Sequence, residues 1–150
     1  MNLKFTLEPE PSPADANWVI DRLVAFNESR AGSRSVQSFG IFARDEDGKL
    51  VAGLLCAPHW NHLFVRAVFV AEPERGKGIG RKLLSAAEKL AQENRCDAIC
   101  LDTFDFQAPD FYEKSGFRVF GVLEDYPRGH RRYYMVKILS REPCHEISSD

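Results

Sequence analysis

Apolar and polar side chains alternate from Leu3 to Leu7, which predicts a half-buried strand at the start of the chain. A proline-rich stretch ends this pattern. Ser12 and Asp15 then supply a capping hydroxyl and a first-turn acid, the usual signals of a helix start. Apolar residues recur at helical spacing after them, so a helix is predicted over about 13–29, with a loop or short irregular helix over 31–38.

Three β-rich runs follow this first helix. Phe39–Arg44 and Leu50–Ala57 are apolar and flank residues 45–49, whose Asp-Gly step is typical of a hairpin. Pro58–Asn61 has the composition of a second turn, and His62–Val70 is again rich in β-formers. The pattern therefore predicts three antiparallel strands in succession.

From Gly78 onward the apolar positions recur with a period near 3.6 instead of 2. One apolar stripe is formed by Ile79, Leu83, Ala86, Ala87, Leu90 and Ala91. This stripe predicts an amphipathic helix of about four turns. The remaining predicted elements are a strand over Ala98–Thr103, a short helix over Pro109–Lys114, and strands over Phe117–Leu123 and Arg132–Leu139.

The predicted order β-α-β-β-β-α-β-α-β-β indicates an α/β fold, with a mixed sheet covered by helices on both faces. A chain of 150 residues with 44% apolar residues fits a single globular domain. We therefore expect one domain over 1–140 and a polar C-terminal tail over 141–150.

Charge and cysteine usage exclude several classes of protein. Lys and Arg total 20 against 22 Asp and Glu, with a net charge of −2, which does not fit a general nucleic-acid binder. No secretory signal and no bilayer-spanning stretch are recognisable, so no membrane association is expected. The cysteines are scattered and lack zinc-site spacing, so no metal is expected and a reducing cytoplasm fits best.

The stretch between the third strand and the amphipathic helix is rich in glycine and basic residues. It consists of Arg75, Gly76, Lys77, Gly78, Ile79 and Gly80, and Arg81 follows. Glycines at a helix start let backbone N–H groups converge on one point at the positive end of the helix, which suits a diphosphate. The spacing matches neither a Rossmann fingerprint nor a P-loop, so neither a dinucleotide nor a nucleoside triphosphate is favoured.

Arg75, Gly78 and Gly80 are spaced as in the signature of the Gcn5-related N-acetyltransferase (GNAT) family, which this chain resembles. Further along, residues 108–117 look like the second motif of that family, a short helix with Phe-Tyr-Glu-Lys before Gly-Phe. The resemblance is close over residues 39–125. It implies a GNAT-like, mostly antiparallel sheet in which two parallel strands splay apart at the cofactor site.

The resemblance also implies acetyl-CoA as the cosubstrate, bound in the gap between the splayed strands. Val68 and Val70 would present backbone groups to the pantetheine amides. The residues expected to hold the pyrophosphate are Arg75, Gly76, Lys77, Gly78, Ile79, Gly80 and Arg81. Family members often pair as homodimers, although the sequence shows no decisive interface.

Tyr112 matches the family tyrosine that protonates the departing CoA thiolate, so it is the expected general acid. Many members carry a glutamate in the strand before the glycine loop, but Arg66 and Ala67 stand at the matching positions. Without that base, the proton of the amine is expected to leave through water, either to water alone or to one of three side chains. They are Asp102, Asp105 and His130.

The expected function is transfer of an acetyl group to the primary amine of a small molecule, by direct attack. Selectivity is expected from the loop 31–38, the turn 59–62 and the segment 126–130, which hold aromatic and titratable side chains. Asp102 and Asp105 are placed where they could attract an ammonium group. The alternatives are a protein or peptide lysine acetyltransferase, and an acyl-CoA-binding regulator that has lost turnover.

Overall fold

The computed structural model describes residues 1–34 and 37–140. The chain divides into two compact units, one formed by residues 1–34 and the other by residues 35–150. The predicted tail 141–150 and part of the predicted loop 31–38 lie outside the described residues.

The first unit contains one helix, α1, over Pro13–Ala31. Its start follows the predicted capping, because the Ser12 side chain accepts a hydrogen bond from the Asp15 amide at 3.2 Å. The predicted strand over Leu3–Leu7 is wrong, since this segment belongs to none of the strands of the sheet. Alternation favours an extended backbone, but a strand also needs a neighbouring strand to satisfy its amides.

The second unit is built on a six-stranded sheet. In chain order the strands are β1 (Phe39–Arg44), β2 (Leu50–His59), β3 (His62–Val70), β4 (Ala98–Phe104), β5 (Arg118–Glu124) and β6 (Arg131–Ile138). Their spatial order is β1-β2-β3-β4-β6-β5, and only the β3–β4 pair is parallel. The predicted α/β class with a mixed, mostly antiparallel sheet is confirmed.

Two hairpins connect the first three strands. The β1–β2 turn is closed by hydrogen bonds between Asp45 and Lys49, with Gly48 at a φ of 82°. The second turn is shorter than predicted, because β2 continues to His59 and His59 pairs with His62. Only two residues therefore connect β2 to β3, and Trp60 has a positive φ of 52°.

Helix α2 spans Ile79–Glu93 and packs its apolar face on the sheet. Its buried residues are Leu83, Leu84, Ala87 and Ala91. They meet fully buried side chains of the strands, among them Leu54, Leu63 and Ile99, to form the core. Helix α3 spans Pro109–Lys114, as the sequence predicts, and its Phe111 and Tyr112 pack against the same core.

The parallel strands β3 and β4 pair only at their beginnings. Residues His62–Phe64 face Ala98–Cys100, and no pairing continues beyond Phe64 and Cys100. Arg66 is an extra residue in β3, since Cys56 faces Val65 and Leu55 faces Ala67 across β2. A β-bulge bends the strand that carries it. This bulge lies where the two strands separate, so the predicted splay is confirmed.

Among the described residues, no helix has both the length and the apolar character needed to cross a membrane.

Candidate active site

The link between β3 and α2 is ordered by Arg75. A 3-10 turn over Glu72–Glu74 follows the strand. The Arg75 Nε atom then donates a hydrogen bond to the Val70 carbonyl at 2.9 Å, and its guanidinium lies 5.6 Å from the centre of the Phe69 ring. Arg75 thus folds the glycine-rich segment back against the end of β3.

The N-terminus of α2 is open and uncapped. Gly78, the capping residue, has a φ of 82° and provides no side-chain hydrogen bond to the helix. The first helical bond runs from the Lys82 amide to the Gly78 carbonyl at 3.2 Å, so the amides of Ile79, Gly80 and Arg81 precede it. Orphan N–H groups at the positive end of a helix are suited to phosphate.

Open space surrounds two of the three glycines in this segment. No atom comes within 4 Å of a Cβ placed on Gly76 or Gly78, and both have a positive φ near 80°. Gly80 differs, because a Cβ there would lie 3.0 Å from the Phe111 ring. Gly80 therefore permits the close approach of α2 and α3, which brings the glycine-rich segment next to the helix that carries Tyr112.

The basic residues of this segment have different surroundings. The Lys77 ammonium pairs with Glu74 at 3.0 Å. Arg81 lines a cleft of about 220 Å³ whose other cations are Lys114 and Lys137. Lys137 is bonded to Glu88 at 2.8 Å, so excess positive charge lines this cleft.

Val68 and Val70 lie on β3 beyond the bulge, where β4 no longer pairs with the strand. Their side chains pack against the core, partly buried. The Val70 carbonyl already accepts the bond from Arg75. The edge of β3 that faces the splay therefore offers backbone groups to a ligand, with this one carbonyl already engaged.

Tyr112 is held by aromatic contacts on both sides. Its ring meets Phe111 at 5.2 Å and Phe117 at 5.8 Å between centroids, each in an edge-to-face arrangement. Its hydroxyl makes no hydrogen bond within the described part of the chain. Burial raises the pKa of this phenol above its ordinary value, and the negative charge of Asp102 raises it further. Tyr112 thus stays protonated at neutral pH.

The three candidate bases differ in their hydrogen-bond partners. Both Arg132 Nε and Nη2 donate to one Asp102 oxygen, at 3.0 and 2.7 Å. Asp105 receives the Arg131 amide at 3.0 Å and contacts the His130 Nδ1 atom at 2.9 Å. Asp102 is therefore engaged by a guanidinium, whereas Asp105 and His130 form a pair.

The segments expected to surround the acceptor are not all at one place. The 125–130 loop adjoins the end of β4, because Phe104 pairs with Arg132 and the Asp105 amide bonds the Arg131 carbonyl. The turn 59–62 lies at the opposite end of the sheet, since His62 pairs with Ala98 at the start of β4. The structure thus excludes this turn from the site.

Sequence reasoning missed Arg132, which organises the end of β4. Its guanidinium lies 5.3 to 5.4 Å from the ring centres of Phe104, Tyr126 and Tyr134, and its Nη1 atom donates to the Tyr126 hydroxyl at 3.2 Å. The pairing of Asp102 with Arg132 spans the β4–β6 register, which no short motif encodes. The available signal was the pair of arginines, Arg131 and Arg132, that precedes two tyrosines in β6.

Gln107 was also missed. Its Oε1 atom accepts bonds from the Thr103 hydroxyl at 3.1 Å and from the Phe104 amide at 2.8 Å. Thr103 is buried, with 2% of its surface exposed, so this bond satisfies a group that water does not reach. Gln107 therefore fixes the link from β4 to α3.

Cys56, Cys96 and Cys100 are free thiols, and burial raises the pKa of each. A raised pKa keeps the thiol protonated at neutral pH and makes it a poor nucleophile. Within residues 1–34 and 37–140, no group of three or more acidic, His or Cys side chains could hold a metal ion.

A splayed parallel strand pair beside an uncapped, glycine-rich helix start defines a domain that binds an extended ligand bearing phosphates. A family model described as acetyltransferase (GNAT) family matches residues 5–117. The chain therefore belongs to the GNAT family of acetyltransferases.

Individual relatives agree with this family. The chain is 35% identical to a blasticidin-S acetyltransferase from Streptomyces morookaense, over 71% of this chain and 79% of that protein. It is 33% identical to an acetyltransferase from Agrobacterium fabrum, over 90% of this chain and 98% of that protein. The crystal structure of an acetyltransferase from Bacillus cereus has a TM-score of 0.82 at 30% identity, covering 89% of this chain and 98% of that one.

Proposed function

We propose that this chain transfers an acetyl group from acetyl-CoA to the primary amine of a small molecule, by direct attack in a ternary complex. The observation that carries the proposal is the close approach of Gly80 to Phe111, which brings the open start of α2 beside the helix that carries Tyr112. A phosphate-binding helix end and a protonated phenol are what a thioester donor of this kind requires.

The residues present fit acetyl-CoA. The amides of Ile79, Gly80 and Arg81, with the open space at Gly76 and Gly78, suit its diphosphate. The free edge of β3 at Val68 and Val70 suits the pantetheine amides. Arg75 acts by shaping this segment, and Lys77 lies beside it, paired with Glu74. When bound, acetyl-CoA supplies an activated acyl group on a thiol leaving group.

Tyr112 is the proposed general acid. Its hydroxyl has no partner within the described residues, and its raised pKa keeps the proton on the oxygen at neutral pH. A phenol of this kind is able to donate to a thiolate of comparable basicity. A backbone N–H near Val70 would polarise the carbonyl that the amine attacks.

A small amine is the proposed acceptor. One relative is named as an acetyltransferase of blasticidin-S, a named compound rather than a protein. The cleft beside the end of β4 is lined by Asp105, Glu124 and Asp125 against one cation, Arg131, and this acidic excess favours a cationic acceptor. A lysine in a peptide shares this chemistry, so the test must include both kinds of acceptor.

A second candidate function is acyl-CoA binding without turnover. Arg66 at the bulge of β3 favours it, because an exposed cation stands where many relatives carry a glutamate base.

We also propose the cytoplasm as the compartment, since buried free thiols such as Cys56 and Cys96 suit a reducing environment. We further propose that two copies of the chain form a homodimer.

The test is release of free thiol from acetyl-CoA in a panel of polyamines, amino compounds, amino-group antibiotics and lysine peptides. Small amines are expected to give turnover. Double-reciprocal plots of the initial rates should intersect, because both substrates bind before the reaction. Turnover confined to peptides would contradict the acceptor class. Calorimetric binding of acetyl-CoA without thiol release on any amine would favour the regulator.

A further inference from the structure

His130 and Asp105 form a hydrogen-bonded pair at the end of β4. The two Asp105 oxygens have separate partners, one the Arg131 amide at 3.0 Å and the other His130 Nδ1 at 2.9 Å. The His130 and Phe106 rings meet in an edge-to-face arrangement, with centroids 4.9 Å apart. The imidazole is therefore oriented by a carboxylate on one side and an aromatic ring on another.

The loop that presents His130 is closed by its own hydrogen bonds. The Tyr126 amide bonds the His130 carbonyl at 2.9 Å, and the His130 amide bonds the Pro127 carbonyl at 2.8 Å. The Asp125 side chain accepts the Gly129 amide at 2.7 Å. Such a loop holds the ring in place without help from a ligand.

The second ring nitrogen is available for chemistry. His130 Nε2 makes no hydrogen bond within the described residues, and 46% of the side chain is exposed. When Nδ1–H donates to Asp105, the lone pair of the neutral imidazole lies on Nε2. Asp102, by contrast, is ion-paired with Arg132 through one oxygen, and each Asp105 oxygen already has a partner.

A series of ring and charge contacts connects His130 to Asp102. Asp102 lies close enough to Tyr112 for its charge to act on the phenol. Arg132, bonded to Asp102, lies over the Phe104 ring, and Phe104 stacks on Phe106 at 5.2 Å. Because Phe106 contacts His130, the pair adjoins Asp102, whose charge acts on Tyr112.

The charged groups that face the pair are mostly acidic. An open cleft of about 460 Å³ is lined by Asp105, Glu124, Asp125, Gly129, His130, Arg131 and Tyr133. Arg131 is bonded to Glu124 at 2.8 Å, so its charge is compensated. The cleft therefore favours a cation, the form in which an amine acceptor arrives at neutral pH.

We propose that His130, oriented by Asp105, is the base that removes a proton from the acceptor ammonium, directly or through one water. This inference rests on the proposed function and names the base that the sequence left open. Nε2 takes the first proton and later releases it to solvent. The freed nitrogen lone pair forms the C–N bond as the C–S bond breaks, and the second proton passes by way of Tyr112 to the sulfur.

The experiment compares His130→Gln with His62→Gln across the pH range, with kcat/KM measured by thiol release on the preferred amine. His62 is a matched control, because its Nδ1 also contacts a side-chain oxygen, that of Asn61 at 3.1 Å, but at the far end of the sheet. His130→Gln is expected to lower kcat/KM by about 10²- to 10⁴-fold near neutral pH. The deficit should shrink as the pH approaches the pKa of the amine, because free amine then needs no base.

Two further variants distinguish a base from a structural residue. Imidazole in the buffer should restore part of the activity of His130→Ala. Asp105→Asn should lower kcat/KM and keep acetyl-CoA affinity, because the His130 ring loses the carboxylate that orients it. Calorimetry with acetyl-CoA should give wild-type affinity for the His130 variants, which shows that they are folded.

If the wild-type chain turns over and His130→Gln has the same pH dependence of kcat/KM, the assignment of His130 as the base is wrong. The proposed function would remain intact. A deficit that is constant with pH, or a change in KM alone, would also contradict the assignment of His130. A wild-type chain that releases no thiol with any amine would instead overturn the proposed function.

Discussion

Tyr112 combines a packed ring with an unbonded hydroxyl. A buried phenol ordinarily finds a hydrogen-bond partner, and the hydroxyl of the partly buried Tyr112 has none within the described chain. The rings of Phe111 and Phe117 fix its direction. Removing the oxygen therefore tests its chemistry with little effect on packing.

Tyr112→Phe is expected to lower kcat by roughly 10- to 1000-fold and to keep acetyl-CoA affinity, since only proton donation is lost. Thiol release and calorimetry measure the two quantities. Tyr134→Phe is the matched control, because it removes a hydroxyl from a tyrosine whose ring packs near Phe120 and Arg132. Equal rates for Tyr112→Phe and the wild type would remove Tyr112 from the mechanism.

The Asp102 charge gives a prediction about pH. A general acid works only while protonated, and the raised pKa of Tyr112 extends activity to higher pH. Asp102→Asn removes the second cause of that shift and leaves the Arg132 cation uncompensated. The alkaline limb of kcat should therefore move to lower pH, as measured by thiol release in a series of buffers. A limb that stays in place or moves upward would contradict the role of Asp102.

The surroundings of a residue could be predicted when its partners lie close to it in the sequence, and not when they are distant. Tyr112 was predicted from a local motif, and the helix that carries it lies beside Gly80. The partners of Asp102 and Asp105 could not be predicted from the sequence, because Arg132 and His130 come from a distant strand and loop. Local spacing carries no information about the β4–β6 register that brings them together.

At the scale of elements, the start of α2 is the feature on which cofactor binding depends. Gly78→Ala places a side chain at a φ of 82°, which costs an L-residue about 1–2 kcal/mol. The new methyl also enters the space proposed for the diphosphate. We expect a measurable loss of stability together with weaker acetyl-CoA binding, measured by denaturation and calorimetry.

Gly48→Ala is the matched control for this variant. Gly48 has the same φ of 82°, and a Cβ placed on it would also have no atom within 4 Å, but it belongs to the β1–β2 turn. The two variants should lose similar stability, and only Gly78→Ala should lose affinity. A loss of affinity in both would mean that backbone strain, not the phosphate site, controls binding.

Most elements of the fold followed from periodicity, and the errors have physical causes. Helix α2 and the β1–β2 hairpin were predictable because an amphipathic stripe and an Asp-Gly turn are local signals. The strand over Leu3–Leu7 failed because alternation cannot show whether a partner strand exists. The bulge at Arg66 was equally hidden, since it is defined by the pairing with β2.

At the scale of the whole molecule, ligand binding should appear as stability. A ligand that binds only the folded chain adds about 2.7 kcal/mol to the free energy of unfolding at 100 times its Kd. For a chain of this size, that corresponds to a rise in Tm of roughly 5–10 °C. Thermal unfolding with and without acetyl-CoA measures this shift directly.

The part of the ligand that produces the shift identifies the site. If the amides at the start of α2 hold the diphosphate, coenzyme A should raise Tm as acetyl-CoA does, because both carry the same phosphates. Pantetheine, which lacks them, should raise it far less at equal concentration, and Gly78→Ala should reduce the shift while Gly48→Ala keeps it. An equal rise with pantetheine would mean that the β3 edge, and not the helix start, supplies most of the binding free energy.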